Sequence, residues 1–178
     1  MNLKKLSTKE ILSNNLARNP NPVLATSKLC LHNIRSMHNI GSAFRTADGF
    51  GLGELILSGY TPVPPRPEIS KTALGADESV SWTHINNPIP TLMQLKSEGF
   101  QIISLEQTSV SIPLPELSVK TDVTKLCFVF GNEITGIDKE LLDISDKIIE
   151  IPQFGKKHSF NVSVSIGIAL YSILEKTW

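Results

Sequence analysis

The sequence contains only two cysteines, Cys30 and Cys127, far apart and each inside an apolar run. Two such residues form no metal-ligand or redox spacing. They read as buried thiols of a reducing compartment, with a disulfide left open. An excess of charge is also missing, since seventeen Lys and Arg balance seventeen Asp and Glu. Taken alone, that balance argues against a nucleic-acid partner. The N-terminus lacks the apolar core of a signal peptide, and no run approaches a membrane span. A soluble cytoplasmic protein without a membrane partner is therefore the expectation. No GxGxxG follows a candidate strand, which argues against a nucleotide-binding dehydrogenase.

The 178 residues suit one domain with a sizeable core, and 40% apolar with 19% charged residues are globular values. The charge, though balanced overall, is unevenly spread. Residues 1–77 hold nine Lys and Arg against five Asp and Glu, whereas residues 78–178 hold eight against twelve. One half can thus carry a basic face, with Lys4, Lys5, Lys9, Arg18, Arg35, Arg45, Arg66 and Lys71 as candidates, joined by Lys156 and Lys157. An ordinary solvated surface accounts for any one of them equally well.

Ser7-x-x-Glu10 has capping-box spacing and opens a helix to about Arg18, ended by Asn19-Pro20-Asn21-Pro22. Leu29 to Leu31 reads as a buried strand, followed by the polar segment HNIRSMHNIG and a helix from about Gly41 to Phe50. A strand at Glu54–Leu57 precedes a proline-rich loop at Pro62–Pro67 and a short helix near Ile69–Gly75. Val80–Ile85 is expected as a strand, Pro90–Gly99 as a helix and Gln101–Leu105 as a strand. After a loosely patterned connection with Pro113 and Pro115, Leu126–Phe130 reads as a strongly buried strand, then GNEITGI and a short helix from Asp138.

The final stretch, from Lys147 to Trp178, opens as a strand at Ile148–Ile151, is cut by Pro152 and passes through a polar loop into a long helix. Val162, Ile166, Ala169, Leu170 and Ile173 recur at spacings of three and four, so one face is built for burial. Val164 and Ile168 make the opposite side apolar too. Small Ser163, Ser165 and Gly167 allow another backbone to come close, so the helix suits a core and also a second chain. Ser159, Phe160 and Asn161 sit at the entrance of this helix, where free N–H groups favour an anionic or polar ligand.

Continuous apolar strands alternating with helices indicate an α/β fold with a parallel sheet covered on both faces. Ligands of such sheets bind at loops leaving the carboxyl ends of strands. Polar, Gly-bearing loops follow Leu31, Phe130 and Ile151, and their convergence is the site expected from residues alone.

Three segments resemble a known family. NIRSMHNIGSAFRTADGFG, with Asn39, Gly41, Arg45 and Thr46, is similar to the first motif of the SpoU (TrmH-like) RNA 2′-O-ribose methyltransferases of the SPOUT superfamily. FGNEITGI, with Gly131, Glu133 and Gly136, resembles the second, and IPQFGKKHSFNVSVSIGIALY, with Ser159 and Asn161, the third. Each pattern alone is weak, but the trio in order over residues 29–175 is specific. Two departures, Phe160 where Leu is common and Ser165 where Ala is usual, leave the polar positions intact. The resemblance implies one methyltransferase domain over residues 1–178. Residues 1–22 form an N-terminal helical extension, and 126–178 form a deep trefoil knot holding S-adenosyl-L-methionine. It also implies a homodimer that completes the active site, RNA as substrate and no metal. The alternative is a catalytically inactive RNA-binding relative.

Methyl transfer to a ribose 2′-OH is an in-line displacement that needs a deprotonated oxygen close to the sulfonium methyl. The family assigns hydroxyl activation to the position of Arg45. A guanidinium has no acceptor lone pair, so Arg45 is better suited to stabilising the developing alkoxide or orienting the hydroxyl through a phosphate. His158 is the nearest titratable alternative as base, but beside Lys156 and Lys157 it serves equally as a phosphate contact. Asn39 matches a motif position that holds Arg45 or the substrate, and it also reads as the N-cap of the following helix. Glu133 is expected to organise its loop through backbone N–H groups. Ser159 and Asn161 either cap the last helix or contact RNA and the active site. The cofactor positions implied are Leu105, Gly131, Ile151 and Phe160, although lining a pocket and filling a core use the same side chains. Arg35, Arg45, Lys156, Lys157 and His158 are the RNA-contact candidates. The segment KTALGADESVSW, with Lys71, Gly75, Asp77 and Trp82, has no assigned role.

Overall fold

The structure, a computed structural model, describes residues 3–119 and 125–178. Helix α1 (Thr8–Leu16) and helix α2 (Pro22–Thr26) lead into strand β1 (Lys28–His32) and helix α3 (Met37–Phe50). Strand β2 (Glu54–Ser58), helices α4 (Pro67–Ala73) and α5 (Ala76–Ser79), strand β3 (Trp82–Ile85) and helix α6 (Pro88–Ser97) follow. Next come β4 (Phe100–Leu105), the short β5 (Ile112–Pro113) with a 3₁₀ turn at Leu114–Glu116, and β6 (Lys125–Phe130). Helix α7 (Lys139–Asp143), β7 (Lys147–Glu150) and α8 (Val162–Thr177) complete the chain.

All seven strands join one parallel sheet in the order β3-β2-β1-β6-β4-β7-β5. The central strands are buried on both faces, as their unbroken apolar runs require: Leu29, Cys30 and Leu31 of β1 and Leu126 to Phe130 of β6 are all almost completely covered. One face packs under α2, α3 and α8 and the other under α6 and α7. Helix α8 buries Ile166, Ala169, Leu170 and Ile173 of the stripe expected from its spacing, with Val162 at its start half-buried, while Val164 stays 48% and Tyr171 59% exposed. Each fully buried Ile or Leu of that stripe contributes about 1.5–3 kcal/mol relative to exposure, which anchors the C-terminal helix on α3 and the sheet. The two thiols are free and buried, and burial pushes Cys30 up to about 11, so neither is reactive at neutral pH.

Helix α3 starts four residues earlier than the spacing predicts. Its N-cap is Ser36, whose hydroxyl accepts from the Asn39 N–H, and Asn39 lies inside the first turn rather than capping it. The polar segment concealed that turn because it carries no apolar stripe. Asn19–Pro22 ends α1 but also starts α2, since Asn21 caps it and Pro22 occupies the first turn, where its missing N–H costs nothing. Val80 belongs to the end of α5 and not to β3. Strand β5 lies at the sheet edge, a position that tolerates Pro113. Among the described residues no helix is long and apolar enough to cross a membrane.

Candidate ligand and active site

Glycine spacing shapes the loop after β6. A Cβ on Gly131 would sit 2.4 Å from the Gly136 carbonyl carbon and oxygen, so residues 131–136 close on themselves only without a side chain there. Gly136 has φ +72°, which L side chains rarely adopt, and its N–H bonds back to Asn132 O at 3.0 Å. Asn132 fixes the turn from inside: Oδ1 accepts from the N–H groups of Ile134 and Thr135. Its Nδ2 donates to Asn33 O and to the Tyr60 hydroxyl, both at 2.8 Å. One nearly buried amide thus ties together the loops leaving β1, β2 and β6.

Glu133, at the tip of that turn, is the second tie. Its carboxylate accepts from Arg35 N–H at 3.0 Å, Ser36 N–H at 3.1 Å and Asn39 Nδ2 at 3.0 Å. Partial desolvation pushes its pKa up, but the hydrogen bonds from Arg35, Asn39, its own backbone and Ser36 outweigh it and hold the carboxyl below its ordinary value. Asn39 Oδ1 in turn accepts from Asn161 Nδ2 at 3.1 Å, and Asn161 Oδ1 caps α8 by accepting from Ser163 N–H at 2.9 Å. A chain of side chains, Glu133 to Asn39 to Asn161, therefore joins three loops that are distant in sequence.

Beside this junction lies a cavity of about 720 Å³ at the carboxyl ends of β4, β6 and β7, within the range of small-molecule sites. Leu105, Gly131, Ile151 and Phe160 line it, together with Glu133, His158, Ser159 and Asn161. Among the described residues its carboxylates are Glu106, Glu133 and Glu150, and no Lys or Arg lines it. Glu106 supports the wall, with Oε2 accepting from Ile137 N–H at 3.0 Å and Oε1 from Gln107 N–H at 2.9 Å. Apolar walls, backbone groups and an acidic balance fit a ligand with an aromatic part and a positive charge. They disfavour a pyrophosphate.

Arg45 is not brought to this cavity. It is exposed on α3 and is not one of the residues that line the cavity. The Asn39 side chain bonds to Glu133 and Asn161, and among the described residues no hydrogen bond joins it to Arg45. Arg35, Lys156 and Lys157 are exposed outside the cavity wall, and the Arg35 backbone rather than its guanidinium meets Glu133. The loop after β1 joins the site through Glu133 rather than by lining the cavity. Asn132, Glu106 and Gln107 were not singled out from sequence; the asparagine beside Glu133 in the glycine-framed turn was the available signal.

A parallel α/β sheet with a small-molecule cavity at its carboxyl edge, walled by glycine turns and a helix N-terminus, defines the class. The chain belongs to the SpoU rRNA Methylase family, which matches residues 27–171. It is 34% identical over 78% of its length to the tRNA (guanosine(18)-2′-O)-methyltransferase of Aquifex aeolicus. It is 33% identical over 80% of its length to the 23S rRNA (guanosine-2′-O-)-methyltransferase RlmB of Neisseria meningitidis. The chain spans 64% and 55% of those two relatives. The fold is shared with the AdoMet-bound rRNA methyltransferase of Sinorhizobium meliloti at TM-score 0.80, with 23% identity over 90% of this chain and 61% of that one.

Proposed function

We propose that the protein transfers a methyl group from S-adenosyl-L-methionine to a ribose 2′-OH of tRNA or rRNA. The observation that carries this reading is the acidic, backbone-walled cavity beside the Asn39–Glu133–Asn161 junction in a chain of this family. Leu105, Ile151 and Phe160 provide apolar contacts for the adenosine, and the Gly131 turn brings backbone groups close to it. The carboxylates of Glu106, Glu133 and Glu150 favour the positive charge of the cofactor. When bound, the cofactor would supply an electrophilic methyl and leave as a neutral thioether, while the 2′-hydroxyl proton would pass to water, since a guanidinium has no lone pair to take it.

Asn39 and Asn161 are the polar groups that orient the substrate, and Glu133 fixes both their position and the backbone at Arg35 and Ser36. Arg45 stabilises the alkoxide. Because this residue does not line the cavity of its own chain, a homodimer in which a second copy brings its Arg45 to the cavity completes the site. The apolar outer side of α8, with Val164, Ile168 and Tyr171 beside Leu114, supports such a pairing. Ser159, Lys156, Lys157, His158 and Arg35 contact the RNA. Residues 126–178 form the knotted cofactor-binding part of a single domain preceded by the 1–22 extension, and the protein works in the cytoplasm.

The test is calorimetric titration with S-adenosyl-L-methionine, the mass in solution recorded alongside, then transfer of labelled methyl to bulk tRNA and rRNA. Saturable binding by a dimer and 2′-O-methyl product are expected. Cofactor binding with no transfer to either RNA pool would replace this reading with that of an inactive RNA-binding relative.

A further inference from the structure

The loop between β7 and α8 carries a side chain that the chemistry above leaves unused. Phe154 is 99% exposed, although its loop neighbours Gln153 and His158 line the cavity. The loop is fastened close by: the His158 carbonyl accepts from Gln107 Nε2 at 2.7 Å and from Gln153 Nε2 at 3.3 Å. The ring, one residue along the chain from the cavity-lining Gln153, is thus left almost wholly uncovered among the described residues, which is unfavourable unless something else packs on its faces. Lys156 and Lys157 follow immediately, both exposed and neither in an ion pair with a described residue. No acidic residue occurs between Glu150 and Glu175.

An aromatic face beside cations, in a segment that carries no carboxylate of its own, is how single-stranded nucleic acid is held: any base stacks on the ring while the phosphates meet the lysines. The cavity itself, lined among the described residues by three Glu and no Lys or Arg, repels a phosphodiester and leaves this rim as the place for one. We propose that Phe154 is the stacking platform for an unpaired base of the RNA substrate next to the reacting ribose, with Lys156 and Lys157 on the flanking phosphates. This inference rests on the RNA methyltransferase reading and names how its substrate is gripped.

The experiment compares the full-length chain with Phe154→Ala, Phe154→Trp and a Lys156→Ala/Lys157→Ala double variant. The probe is a short fluorescein-labelled single-stranded oligoribonucleotide of mixed sequence, followed by anisotropy at several salt concentrations. Phe154→Ala is expected to weaken binding by about 5- to 150-fold, the loss of one stacked base, with the salt slope unchanged. Phe154→Trp restores it, and cofactor affinity and solution mass stay as in the wild type. The double lysine variant lowers the salt slope by about 1.4, the loss of two phosphate contacts to a single strand. Wild-type affinity in Phe154→Ala, or no RNA binding by the wild type, overturns the proposal. A changed mass in Phe154→Ala also overturns it, since the ring would then belong to an interface between copies. Methyl transfer by the wild type with Phe154→Ala equally active at limiting RNA sinks this inference alone. RNA binding that depends on Phe154, without transfer to any RNA, sinks the enzymatic reading alone.

Discussion

Replacing Glu133 by Gln tests whether one carboxylate holds the site together. In the wild type, one oxygen accepts from Arg35 N–H and the other from both Ser36 N–H and Asn39 Nδ2, at 3.0–3.1 Å. A glutamine can keep only the second set, as neutral bonds, and turns its own NH₂ toward the Arg35 N–H. One charge-assisted bond, about 1.5–3 kcal/mol, is then lost and two are weakened by about 1 kcal/mol each. Glu133 is an exposed residue, so water replaces much of this. A net loss of about 1–2 kcal/mol is expected, read as a lower urea midpoint with unchanged m.

The pH dependence gives a second readout. The folded pKa of Glu133 is below its ordinary 4.5, so its contribution is complete above the unfolded value and disappears as pH falls through the folded one. The gap between wild type and Glu133→Gln should therefore be widest at neutral pH and close on acidification below about 4.5. Methyl transfer should fall more than cofactor affinity, because Asn39 and Asn161 lose their anchor. An unchanged urea midpoint at neutral pH, or a gap that widens on acidification, would refute the reasoning.

Arg45→Ala is expected to abolish methyl transfer while leaving calorimetric cofactor affinity within about twofold, since the residue does not line the cavity; equal loss of both would show that its role is structural. Gly131→Ala places a Cβ 2.4 Å from Gly136 backbone atoms, so the turn must open. A loss of about 1–3 kcal/mol in urea and at least tenfold weaker cofactor binding are expected, and a wild-type midpoint would refute the close approach.

Local patterns were sufficient for most elements. The Ser7–Glu10 capping box appears in the structure with both reciprocal bonds, and the stripe Ile166–Ala169–Leu170–Ile173 is the buried one. Unbroken apolar runs sufficed for a parallel sheet because a strand covered on both faces has no polar side to show. The start of α3 and the short α2 were hidden, since a capping serine in a polar run and a proline at a first turn look like loop until the helix behind them is known.

The sequence by itself determined the strands other than the short edge strand β5, which lies in the connection read as loosely patterned, and also the last helix and the three motifs that mark the family, because each depends on neighbours within a few residues. Only the tertiary structure decided the strand order and what the motifs do to one another. Asn39 meets Glu133 across 94 residues and Asn161 across 122, and neither contact involves Arg45. No periodicity encodes such pairings: they follow from where β6 inserts, between β1 and β4, bringing loops that are remote along the chain to one edge.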